Sequence, residues 1–112
     1  MSSITDPYTP IRVLNQFSTD FKIRARVTKK DEPRQWRNKN GEGYLMNIEL
    51  IDKDGVQIQA TFFGEEAAKR FGPMIKENKV YFFSNGQVKL ANKKFTSISN
   101  DYCLTFDHMA DI

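Results

Sequence analysis

Among its 112 residues the chain has one cysteine, one histidine and one tryptophan. A single thiol, Cys103, excludes an internal disulfide, and with only His108 beside it in the inventory there is no set of soft ligands for zinc. The chain also offers no Ser/His/Asp set, no glycine-rich phosphate loop and no metal-ligand spacing, so an enzyme is the least favoured class and no cofactor is expected. No apolar run approaches the ~20 residues that span a bilayer, and no charged-then-apolar segment opens the chain. Repeats and low-complexity tracts are missing as well. Together these absences predict an intracellular chain without a membrane partner.

What is present is modest in size and charge. The length bounds the chain to one domain with a single core. A net charge of +3 and a pI near 9.0 mean that any affinity for a polyanion must come from placement. Residues 29–43 carry Lys29, Lys30, Arg34, Arg37 and Lys39 against Asp31, Glu32 and Glu42, a net +2. Residues 85–96 carry Lys89, Lys93 and Lys94 with no acid, so the rest of the chain is net negative. The first cluster contains RQWRNKNGEG (34–43), in which basic side chains, the flat ring of Trp36, the amides Asn38 and Asn40 and two glycines suit a loop that grips a flexible polyanion.

Periodicity supplies a frame for these clusters. Phe21, Ile23, Ala25 and Val27 alternate with Lys22, Arg24, Arg26 and Thr28, which predicts a half-buried strand. A second strand follows over 44–52, with Met46, Ile48 and Leu50 against Leu45, Asn47 and Glu49. The turn Asp52-Lys53-Asp54-Gly55 leads to a third, with Ile58, Ala60 and Phe62 on one face and Gln59, Thr61 and Phe63 on the other. After Gly64, EEAAKRF has early acids and late bases that complement a short helix. Val80–Ser84 is strongly β-forming, Asn85-Gly86 breaks it, Gln87–Leu90 continues it, and a last strand is expected from Phe95 to about Phe106. Three strands, a helix and two strands is the element order of the OB fold, so the predicted class is all-β: a five-stranded OB barrel with a short helix between strands three and four. Residues 1–10 read as an arm, 11–106 as the barrel, with Ile11, Val13 and Leu14 beginning to cover the core, and 107–112 as a tail.

The strings KIRARVT (22–28), RQWRNKNGEG (34–43), ELIDKDGVQIQATFF (49–63), NKVYFFSNGQVKLANKKFT (78–96) and NDYCLTF (100–106) resemble the first high-affinity single-stranded-DNA-binding OB domain of the large subunit of replication protein A. The likeness covers nearly the whole chain in order and spacing. It implies a nuclear module that binds single-stranded DNA without chemistry, beside neighbouring OB domains of the same chain. Smaller subunits of a heterotrimer, or telomerase, would be reached through those other domains. By resemblance, Phe63 and Phe95 match the two rings on which bases stack, Arg34 and Lys89 match DNA-contacting cations, and Trp36 matches a tryptophan of the same loop. Arg37, Lys39, Asn40, Gln59 and Lys93 complete the candidate set. The chain departs from the pattern at Gln59 and Asn40, where basic residues are usual, at Gly64 in place of an asparagine, and at Cys103 in place of an acid. Those departures keep open a telomere-dedicated relative of the general replication factor.

The residues support these roles on physical grounds. Bases expose π-faces whatever their identity, so an outward aromatic on a barrel gains roughly 1–3 kcal/mol per stacked base while cations track phosphates. In a strand Phe62 and Phe63 must point opposite ways, and Phe63 shares the polar face. Lys93, Lys94 and Thr96 around Phe95 argue against burial there. Trp36 is divided evenly between touching a ligand and pinning its loop. Tyr81, Phe82, Phe83 and Tyr102 are expected to pack. A protein-interaction OB domain is the competing class, and the outward Phe63 and Phe95 argue against it.

Overall fold

Period-two alternation decides the sheet. The computed structural model describes residues 8–93 and 98–112. Its first strand, β1 (Lys22–Lys30), buries Ile23, Ala25 and Val27 and turns Lys22, Arg24 and Arg26 to solvent. A shift of register between Val27 and Lys29 bends it against β3. The remaining elements are β2 (Arg34–Asn38), β3 (Gly41–Ile51), β4 (Gln57–Phe63), α1 (Glu65–Phe71), β5 (Val80–Ser84), β6 (Gln87–Leu90) and β7 (Tyr102–Phe106). The sheet order is β5-β1-β3-β4-β7-β6, with β2 paired to β3, and β4 and β7 run parallel.

The two ends of that order, β5 and β6, are separated in the chain only by Asn85 and Gly86. The sheet therefore closes on itself as a barrel of five strands, the fourth of them interrupted. Asn85 takes a positive φ of 63° at the break, and a Cβ on Gly86 would run into the Phe106 ring, so the corner is turned over that ring only by a residue without a side chain.

Inside lie Ile23, Val27, Met46, Ile48, Leu50, Ile58, Phe62, Phe83 and Leu104. Phe62 packs between Phe71 and Phe106, with ring centroids 5.1 Å from each. Helix α1 joins this core through Ala67, Ala68 and Phe71. Its acids lie in the first turn and its bases in the last, and Glu65 pairs with Lys69 at 2.7 Å, one turn on.

Five expectations are corrected. The Arg34–Gly43 stretch, read as a loop, is a β-hairpin: β2 pairs residue for residue with Gly41–Leu45. The last strand, expected to run unbroken to about Phe106, is strand only from Tyr102 on among the described residues: residues 98–101 are not strand. Ahead of it, the Asn100 amide donates to Gln57 O and its Oδ1 accepts the Tyr102 N–H, which sets where pairing begins. Residues 94–97 lie outside the described residues. Val13 and Phe82, expected to pack, face outward: Ile11 and Leu14 are the buried members of the first turn, and Phe82 stacks in parallel on Tyr8 at 5.1 Å. Residues 107–112 lie against the barrel, where Ala110 is buried and Asp111 exchanges two backbone hydrogen bonds with Ser84.

Candidate nucleic-acid interface

On the outer face of β3, β4, β7 and β6 the register sets side chains in rows. Leu45 and Phe63 face each other, with Arg34 of β2 beside Leu45. The next row is Asn47, Thr61, Thr105 and Gln87. The third is Glu49, Gln59, Cys103 and Lys89. Successive rows are about 7 Å apart along the strands and neighbouring strands about 4.8 Å apart. Over these rows runs an open groove of about 640 Å³, whose lining includes Phe63, Arg34, Lys89 and Gln59 and continues onto Leu90–Asn92.

Phe63 is 47% exposed while Phe62, its neighbour in the strand, is fully buried. The alternation that fills the core with one ring presents the other to the groove. Among the described residues the only charged side chains of the lining are Arg34 and Lys89, both cationic. Burial pushes the Cys103 thiol up from its ordinary value, and Lys89, its partner across the strand pair, pulls it partly back. On the same face Thr61, 9% exposed, donates its hydroxyl to Asn47 Oδ1 at 2.6 Å.

Of the candidate set, Phe63, Arg34, Gln59 and Lys89 come together in this groove. Trp36 shares the Arg34 face of the hairpin by alternation and lies across Gly43. Arg37 is on the opposite face, its Nη2 2.9 Å and its Nε 3.0 Å from Glu42. Lys39 and Asn40 form the hairpin tip, outside the groove lining, and the Asn40 N–H is held by Asn38 Oδ1. Lys93 is turned into its own connection, donating to Asn100 O at 2.6 Å and Ile98 O at 3.3 Å and lying 3.7 Å from Asp101. Phe95 lies outside the described residues. Sequence reasoning missed Asn47, Thr61 and Thr105 as lining residues, while Cys103, singled out as replacing an acid, does line the groove. The outward phase of three strands was the signal that could have found them.

Fold and site together define an open-faced OB barrel whose groove carries an exposed aromatic ring between cations. The comparisons narrow that class. The chain is 49% identical over 98 residues to the 70 kDa DNA-binding subunit of replication protein A from Xenopus tropicalis, a match covering 88% of the chain and 16% of that protein. It superposes on DNA-binding domain A of the Saccharomyces cerevisiae protein with a TM-score of 0.75 and 32% identity, covering 96% of this chain and 92% of that domain. A solved replication protein A heterotrimer bound to single-stranded DNA gives a TM-score of 0.84 at 39% identity, over 92% of this chain and 23% of that one. No family model matches. The chain belongs to the family of OB-type DNA-binding domains of the replication protein A large subunit, and it spans about a sixth of the length of such curated relatives.

Proposed function

We propose that residues 11–106 are a module that binds single-stranded DNA by stacking bases on Phe63 and holding phosphates with Arg34 and Lys89. The observation that carries this reading is the convergence of that ring and those two cations on one open groove. Phe95, two residues after Lys93 in the sequence, completes the stacking pair in this reading. The lysine at the hairpin tip, Lys39, extends the cationic track, while Trp36 acts by bracing the hairpin. The module binds without catalysing a reaction. It works in the nucleus beside other OB domains of a longer chain and with the smaller subunits of a heterotrimer, in replication, repair and recombination.

A reading in which the module serves telomeric DNA draws on the neutral Gln59 and Cys103, which stand side by side in the third row. Titrating the domain with labelled oligo-dT, a G-rich telomeric repeat and a duplex at one salt concentration tests both. Single strands binding well above the duplex support the module. Equal binding of all three reduces it to a nonspecific basic surface, and a large margin for the repeat over oligo-dT selects the telomeric reading.

A further inference from the structure

The groove divides hydrogen-bonding roles unequally. Arg34 and Lys89 are donors only, and among the described residues no lining side chain is a carboxylate. Glu49 shares the outer face, but it stands opposite Lys29 at the far end of its row and does not line the groove. The amide of Asn47 could have balanced the account, since it carries one carbonyl and one NH2. Its carbonyl, however, accepts the Thr61 hydroxyl at 2.6 Å, in a bond sheltered by the burial of Thr61, which turns the oxygen toward Thr61 and leaves the NH2 as the end of the amide with no partner among the described residues. What Asn47 offers the groove is its NH2. Gln59, one row further, keeps both roles and so discriminates neither way.

Nucleobases differ in this respect. Thymine, uracil and guanine present carbonyl oxygens where cytosine and adenine present amino groups. The Asn47–Thr61 row is next to the Leu45–Phe63 row, about 7 Å along the strands, so a base lying on or beside the Phe63 ring brings an edge over Asn47. We propose that the groove prefers keto bases over amino bases, and that Asn47 is the residue that sets the preference. Its NH2 donates to the O4 of thymine or uracil or the O6 of guanine, whereas an amino base sets donor against donor. Thr61 is the positioning residue, because its hydroxyl fixes which end of the amide faces out. This preference rests on the reading of the groove as a single-strand site.

Oligodeoxyuridine and oligodeoxycytidine of about eight nucleotides, a length one OB barrel spans, differ only on the edge in question. At one salt concentration the uridine oligomer should bind about fivefold tighter, the factor that one net hydrogen bond supplies. Asn47→Asp keeps an oxygen for Thr61 and replaces the NH2 with a second acceptor. Its added charge weakens both oligomers together, so the ratio is the readout, and the ratio should fall to one or invert. Asn47→Ala, with its melting checked against the parent, should bring the ratio to one. Equal binding of the two oligomers by the parent domain overturns the preference, and a ratio unchanged in Asn47→Asp overturns the role of Asn47. Failure of both oligomers to bind overturns the single-strand reading itself and the preference with it.

Discussion

The Trp36 indole lies across Gly43, its partner in the β2–β3 hairpin, so closely that a Cβ built on that glycine would stand 2.9 Å from three atoms of the ring. The missing side chain at Gly43 is thus what lets the ring lie flat on its own hairpin. Both residues sit beyond the groove, on the arm that carries Arg34.

Gly43→Ala should therefore push the indole off the hairpin. Trp36 is the sole tryptophan, so its emission reports the change directly: a shift to longer wavelength is expected as the ring enters solvent. The thermal transition should move little, since the hairpin stands outside the core, and the cost should stay near 1 kcal/mol or below. An unshifted spectrum would mean that the ring is held by something other than this contact.

Lys89 and Lys93 should behave differently although they are close in sequence. Lys89 lines the groove, so Lys89→Ala should flatten the fall of log affinity with log salt by about 0.7, the loss of one phosphate contact on a single strand. Lys93 donates to Asn100 O and Ile98 O, so Lys93→Ala should leave that slope nearly unchanged and loosen the pairing of Ala91 with Asp101. Salt titrations of the two variants decide this, and hydrogen exchange of the Ala91 amide, which donates to Asp101 O, reads the loosening. A full step in slope for Lys93→Ala would place it on the phosphates.

Cys103 provides a chemical probe of the groove. Because burial holds the thiol above its ordinary value, its thiolate fraction at neutral pH is smaller than that of a free cysteine, and disulfide reagents should react slowly. The rate should climb with pH to higher values than for an unhindered thiol. A saturating single-stranded oligonucleotide should slow it further, since Cys103 lies under the groove. Reaction at the free-cysteine rate, or no protection by the oligonucleotide, would remove it from the covered floor.

Much of the barrel was legible: β1, β3 and β4 carry a two-residue period, and β5, β6 and α1 fall where the β-forming Val80–Ser84, Gln87–Leu90 and the charge order of EEAAKRF place them. The hairpin was not legible, since RQWRNKN has no apolar alternation; its register comes from the contact of Trp36 with Gly43 and the pair between Arg37 and Glu42, each visible only across the turn. Phe82 was misjudged for a related reason. In VYFF the aromatic run hides the phase, and only pairing with Arg24 of β1 turns Phe82 outward and Phe83 inward. In the groove, Phe63 and Lys89 were recognisable by type and phase. Asn47 and Thr61 were not, because an amide and a hydroxyl gain a role only from the bond between them.

Paired substitutions at Phe62 and Phe63 separate a stacking role for Phe63 from a place in the core. Phe62 is fully buried between Phe71 and Phe106, so Phe62→Ala should cost about 3–5 kcal/mol of stability. Phe63→Ala should leave the melting transition nearly in place and weaken binding of a single-stranded oligonucleotide by about 1–3 kcal/mol in an anisotropy titration. Unchanged affinity in Phe63→Ala, or a loss of stability matching that of Phe62→Ala, would contradict the account.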